Sequence, residues 1–175
     1  MIYVCSMTKV AETVARARAA RLVTLLNGGT PFERPESIAA PNHLFLSMND
    51  IVREEEGLVA PATDHVETLL AFVRDWDRSA PLVINCFAGV SRSTAAAYIA
   101  AAALAPDRDE AELAGTLRRL SPSATPNARL VAHADAILGR NGRMIAAIDA
   151  IGRGADAFEG MPFALEIDAW KAGGR

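Results

Sequence analysis

Pro81-Leu82-Val83-Ile84-Asn85-Cys86-Phe87-Ala88-Gly89-Val90-Ser91-Arg92-Ser93 joins two segments of opposite character, and the join decides the fold. The first four residues form a continuous apolar run, which suits a strand covered on both faces. From Ser93 to Leu104 the chain is mostly alanine, the strongest helix former, and the run stops before Pro106. The order is buried strand, tight loop, helix. Backbone amides at the start of such a helix point into the loop without intrahelical partners, and the helix dipole adds positive potential there. An anion site follows, and Gly89 lets the backbone approach the ligand with no Cβ in the way.

Working outward, Ile2 to Val4 reads as a short strand and Ala11 to Ala20 as a helix or helical turn. Leu22-Val23-Thr24-Leu25-Leu26 is a second buried strand, closed by Asn27-Gly28-Gly29 and Pro31. His43 to Ser47 reads as another. Val66, Leu69, Leu70 and Val73 recur at helical spacing, with Asp64 as the expected N-cap. Helical patterns follow over 109–120, 129–138 and 143–151, and the tail from about residue 153 has no assignment. Strands early and helices late predict an α/β fold, a central mostly parallel sheet flanked by helices in three layers. No repeat or linker divides the 175 residues, so one domain over 1–175 is expected.

The residue types in the loop specify chemistry. Arg92 offers a fixed fork of donors that can hold two oxygens of a tetrahedral dianion. Cys86 is then the nucleophile within reach of a bound phosphorus, since a helix N-terminus and a guanidinium both favour the thiolate. Ser93, at the start of the helix, can donate a hydrogen bond to the sulfur as it departs. The remaining loop residues, Phe87, Ala88, Gly89, Val90 and Ser91, supply backbone amides to the phosphate.

Cysteine, five residues, arginine and then serine, with a glycine between, a strand before and a helix after, resembles the phosphate loop of the cysteine-dependent protein tyrosine phosphatases. The resemblance covers roughly residues 40 to 138 and is of the dual-specificity kind, similar to small bacterial tyrosine phosphatases. It implies a phosphotyrosine-phosphatase-like three-layer sandwich and phosphomonoester hydrolysis through a cysteinyl-phosphate. It also implies an aspartate upstream that protonates the leaving group and then activates water. Asp50, in Leu46-Ser47-Met48-Asn49-Asp50, matches that loop; Asp64 is the competitor, better suited to capping. Glu54-Glu55-Glu56 reads as a solvated loop. Pro126-Asn127 resembles the stretch that opens the helix behind the loop, where the asparagine braces it, so Asn127 is a supporting candidate, with an ordinary helix N-cap as the equal alternative. The residue before the cysteine is usually histidine in this family. Here it is Asn85, able to hydrogen-bond the loop but without charge, which implies slower turnover.

Composition narrows the alternatives. A net charge of −3 does not suit a nucleic-acid partner, whose affinity needs a basic surface. No apolar run approaches the ~20 residues of a membrane span, and the N-terminus has no basic lead-in, so a cytoplasmic location is expected. His43, His65 and His133 have no metal-ligand spacing, and no nucleotide motif is present, so neither metal nor other cofactor is expected. Cys5 reads as a buried strand residue, with a redox partnership to Cys86 as the minor reading. The expected partner is a phosphorylated protein or peptide substrate. Two competing functions stay open: a phospho-binding module with weak or no catalysis, and a rhodanese-type sulfurtransferase or arsenate reductase, whose chemistry has no use for Asp50.

Overall fold

The computed structural model describes residues 1–167. Its elements are β1 (Ile2–Ser6), α1 (Val10–Ala17), β2 (Arg21–Leu26), β3 (His43–Ser47), α2 (Thr63–Arg74), β4 (Leu82–Cys86), α3 (Arg92–Leu104), α4 (Glu110–Leu120), α5 (Ala128–Ile137), α6 (Arg143–Ile151) and β5 (Phe163–Leu165). The strands form one sheet in the order β3-β2-β4-β1-β5. β3, β2, β4 and β1 run parallel, and β5 lies antiparallel on β1, giving the mostly parallel sheet expected. Cys86 is level with Leu25 on one side and Ser6 on the other, so three strands end together at one edge of the sheet. In open α/β sheets ligands bind at this carboxyl edge.

The two faces of the sheet are covered differently. α3 is buried from Arg92 to Ala102, all round its circumference, and packs on the sheet beneath α2, α4 and α5. After its polar first turn α3 is apolar on every side but for the Tyr98 hydroxyl, which suits this central layer, and alanine lets its neighbours approach closely. Leu82, Ile84 and Cys86 face this side. Val83 and Cys5 face the other, against Val10 and Val14 of α1 and Ile38. Alternation along β4 therefore sends Cys86 and Asn85 to opposite faces. On α2, Val66, Leu69, Leu70 and Val73 are all buried, as the spacing predicts. Each such burial contributes roughly 1.5–3 kcal/mol, so this stripe holds α2 against the core. No helix among the described residues is long and apolar enough to cross a membrane.

The structure departs from the sequence reading in three places. α1 ends at Ala17, three residues early, because Arg18 adopts a left-handed conformation (φ 51°) that breaks the helical path. The N-cap of α2 is Ala62, whose amide donates to His65 Nδ1 (3.0 Å); Asp64 lies inside the first turn instead. The tail from residue 153 takes a defined course within the described residues: residues 153–162 run back to the carboxyl edge of the sheet, and Phe163–Leu165 add the antiparallel strand.

Candidate active site

The loop between β4 and α3 is fixed by its carbonyl groups. Phe87 C=O accepts from Met7 N–H (3.1 Å), Ala88 C=O from Gly160 N–H (2.8 Å), Val90 C=O from Thr125 N–H (2.9 Å), and Ser91 C=O from Ala95 N–H (2.9 Å). The loop's peptide bonds are all trans, so the N–H of each following residue points the opposite way. The amides of Ala88, Gly89, Ser91 and Arg92 are thereby turned to the inside of the loop. Ser91 is the N-cap residue of α3, yet its hydroxyl caps nothing and donates to Asp50 Oδ1 at 2.7 Å. The positive end of α3 is left without a side-chain cap, in the place where an anion would use it.

Gly89 is required by geometry twice over. Its φ is +73°, and a Cβ there would lie 2.7 Å from Ser6 N and 2.8 Å from Cys5 C, both backbone atoms of β1. Left-handed backbone costs a non-glycine residue ~1–2 kcal/mol and overpacking ~1–3 kcal/mol more. Gly89→Ala is therefore expected to lower Tm by at least ~4 °C and to weaken inorganic phosphate binding more than tenfold. Calorimetric melting and phosphate titration check both; an unchanged Tm would show that the loop does not press on β1.

Cys86, Arg92 and Asp50 line one cavity of about 600 Å³, with Asn27, Asn49 and Ser91 among the other lining residues. Cys86 Sγ lies 3.1 Å from Ser93 Oγ, and both are buried. Arg92 is 4% exposed; its Nη1 donates to Asn27 Oδ1 (2.8 Å) and to Met48 C=O (2.7 Å). Those two bonds fix the plane of the guanidinium. Its Nε is buried with no hydrogen-bond partner among the described residues, and Asp50 Oδ2 is 3.8 Å away, too far for one. A buried, oriented guanidinium with an unused donor is a receptor for an oxyanion.

Asp50 is held from two sides. Its Oδ1 accepts from Ser91 Oγ and from Asn127 Nδ2 (2.8 Å), while Asn127 Oδ1 caps α5 through the amides of Arg129 and Leu130, both at 3.1 Å. The expectation that Asn127 braces the loop is corrected in kind. Its side chain ties the aspartate segment to α5, and only its backbone N–H reaches the loop, at Ser91 C=O (3.4 Å). Asp64, in contrast, has a side chain 79% exposed, accepts from the amide of His65, and is not among the residues lining the cavity. Glu54 is exposed and pairs with Arg129 (2.9 Å), in keeping with a solvated loop.

Asn85 overturns a second expectation. Its side chain faces the α1 side, where Oδ1 accepts from Thr24 Oγ1 (2.8 Å), and Thr24 Oγ1 in turn meets His43 Nε2 (3.0 Å). Thr24 has one proton and gives it to Asn85, so His43 Nε2–H donates in the second bond. Burial, and then Arg34, hold the imidazole below its ordinary range. Asn85 thus belongs to a polar chain across three strands and does not bond the loop. The redox reading of Cys5 meets the same obstacle: Cys5 is in register with Asn85, on the face opposite Cys86. Burial pushes the Cys5 thiol up to about 12, so it is protonated at neutral pH.

Sequence reasoning missed Asn27, read only as a turn signal. A signal for it was present, because a loop leaving a strand beside the Cys86 strand opens on the same carboxyl edge.

This architecture is the dual-specificity phosphatase fold. Human DUSP28 superposes with a TM-score of 0.60 at 19% identity, over 79% of this chain and 94% of that one. The PTP-2 phosphatase of Cydia pomonella gives 0.60 at 18% identity, over 77% and 84%. The human tyrosine phosphatase-like serine/threonine/tyrosine-interacting protein gives 0.62 at 11% identity, over 80% and 92%. No family model and no curated protein sequence matches the chain. At these identities the likeness establishes the fold, and function rests on the site.

Proposed function

We propose that the protein is a cysteine-dependent phosphatase that hydrolyses phosphomonoesters on protein or peptide substrates through a cysteinyl-phosphate. The observation that carries this reading is the convergence of Cys86 and Arg92, from one loop, and Asp50, from a separate segment, on one cavity. The phosphate sits on the inward amides of the loop and on Arg92 Nε, which places phosphorus in front of Cys86 Sγ. The thiolate attacks, an S–P bond forms, the P–O bond to the leaving group breaks, and that oxygen takes a proton from Asp50. A water then attacks phosphorus and gives its proton to the Asp50 carboxylate. The P–S bond breaks, and Ser93 Oγ–H donates to the sulfur as it regains its charge. Phosphate leaves and the residues return to their starting states.

Both cysteines are free thiols, and a thiol nucleophile needs a reducing compartment, which supports a cytoplasmic location. A second reading, a phospho-binding module, is favoured by the likeness to a tyrosine phosphatase-like interacting protein, which has the same fold. Turnover separates the two. p-Nitrophenyl phosphate is expected to be hydrolysed in excess EDTA, with inhibition by vanadate, a mimic of the five-coordinate phosphorus. Phosphopeptide binding with no turnover of any ester would select the module instead.

A further inference from the structure

Three outward carbonyls of the phosphate loop are held by three different parts of the chain: Phe87 C=O by Met7 N–H, Val90 C=O by Thr125 N–H, and Ala88 C=O by Gly160 N–H (2.8 Å). The last of these controls the most easily turned peptide of the loop. A peptide plane reverses by rotation about ψ of its first residue and φ of its second, and the second here is Gly89, which takes φ of either sign about as readily. No stiffer residue can stand there, because a Cβ would lie 2.7 Å from Ser6 N. Close approach to β1 therefore removes the side chain that would restrain the Ala88–Gly89 peptide, and the restraint comes from Gly160 instead. Reversal would carry Ala88 C=O into the loop, facing the phosphate oxygens, and would leave the N–H of Gly160, a buried residue, without its partner.

Gly160 can hold the loop because the chain on both sides of it is fastened to β1. Before it, the Glu159 carboxylate accepts from the hydroxyls of Ser6 and Thr8 at the end of that strand. Those hydrogen bonds hold Glu159 below the usual carboxylate range, so the acceptor is ionised at neutral pH and the bonds are charge-assisted. After it, Phe163 opens β5 opposite Val4. Further back, Gly154 N–H donates to Thr125 Oγ1 (3.0 Å) and Ala155 N–H to Pro122 C=O (2.9 Å), and a Cβ on Gly154 would lie 2.5 Å from Ser123 C. The segment is thus tied to the same Thr125 whose N–H holds Val90. A Cβ on Gly160 would lie 2.9 Å from Gly89 O and 3.4 Å from Val90 Cγ2, so the segment rests directly on the loop with no room for a side chain between them.

We propose that Glu159 and Gly160 are positioning residues of the phosphate site: Glu159 anchors the segment to the end of β1, and Gly160 N–H holds the Ala88–Gly89 peptide with Gly89 N–H turned to the anion. The proposal rests on the phosphate-loop reading above and deepens it. Its test is inorganic phosphate binding to the full-length protein carrying isotopically labelled glycine, followed by NMR at the Gly89 amide well below Tm. Phosphate is expected to move the wild-type Gly89 amide proton downfield, as a new hydrogen bond to an anion does. Glu159→Ala is expected to raise the phosphate Kd about tenfold, the upper end of what one net hydrogen bond contributes, and to shrink the Gly89 displacement at saturating phosphate. Glu159→Gln keeps an acceptor for Ser6 and Thr8 and is expected to stay within about threefold of wild type. Gly160→Ala keeps the donor but sets a Cβ against Gly89 O, and the same two losses are expected from it. A merely structural role would lower Tm while leaving the Kd of the folded protein and the Gly89 displacement as in wild type. Unchanged Kd and Gly89 displacement in Glu159→Ala and Gly160→Ala, or a loss that Glu159→Gln shares in full, would overturn the proposal. Wild-type protein that binds no phosphate would sink the loop reading and the proposal together. Wild-type protein that binds phosphate but hydrolyses no ester would sink the catalytic reading alone, and the same measurements would still decide the roles of Glu159 and Gly160.

Discussion

Replacing Cys86 by serine is expected to lower kcat/KM on p-nitrophenyl phosphate by at least about four orders of magnitude, the scale on which loss of a nucleophile acts. The reason lies in what surrounds the sulfur. A serine hydroxyl needs an adjacent base to become a nucleophile, whereas a thiolate is nucleophilic by itself. The side chain beside Cys86 Sγ is the Ser93 hydroxyl, which is no base. His43 is bonded to Thr24 on the opposite face, two hydrogen bonds removed through Asn85. A serine at position 86 would have nothing to take its proton. The loop itself, held through its carbonyls by Met7, Gly160 and Thr125, does not depend on the sulfur, so phosphopeptide affinity should survive. Arg92→Lys keeps the charge but loses the fork that Asn27 and the Met48 carbonyl orient, with an expected cost of about 10²–10³ in kcat. Steady-state kinetics in EDTA, with binding measured on the same preparations, distinguish lost chemistry from lost structure. A Cys86→Ser protein within tenfold of wild-type turnover would eliminate the cysteinyl-phosphate mechanism.

The parts of this site visible in the sequence are those whose chemistry is local. Cys86, Gly89, Arg92 and Ser93 lie within eight consecutive residues, bounded by a strand and a helix that announce themselves by composition, so spacing alone places them around one loop. Asp50 was reachable only through resemblance, because nothing local distinguishes it from Asp64; what separates them is that Ser91 and Asn127 meet one and solvent meets the other. The direction of Asn85 was fixed by strand alternation, which was available, but its partner Thr24 needed the register between β2 and β4. The course of residues 153–162 past the phosphate loop was not legible at all. Gly154 and Gly160 are conspicuous only because of the backbone pressed against them, and that contact spans more than seventy residues of chain between Ala88 and Gly160. Long-range backbone approach leaves no periodic trace in a sequence.

Asp50→Asn carries the second large effect, and its signature depends on the leaving group. With Oδ1 occupied by Ser91 Oγ and Asn127 Nδ2, Oδ2 is the oxygen that carries the transferable proton. Asparagine can keep the Oδ1 contacts and present an amide in place of Oδ2, so the loop geometry persists while the proton source is lost. A positioned general acid contributes about 10²–10⁴-fold. The full loss is expected on phosphotyrosine, whose phenolate is a strong base (pKa ~10) and a poor leaving group without a proton. On p-nitrophenyl phosphate the stabilised phenolate departs more readily, and the loss should be at least tenfold smaller. Asp64→Asn, on the exposed first turn of α2, is expected to leave kcat on both esters within twofold. Two outcomes would each reassign the acid: the same loss factor on both esters in Asp50→Asn, or a leaving-group-dependent loss in Asp64→Asn. The first would mean that Asp50 serves by holding Ser91 and the loop in place, and the Asn127→Ala protein would then show a matching loss in phosphate affinity.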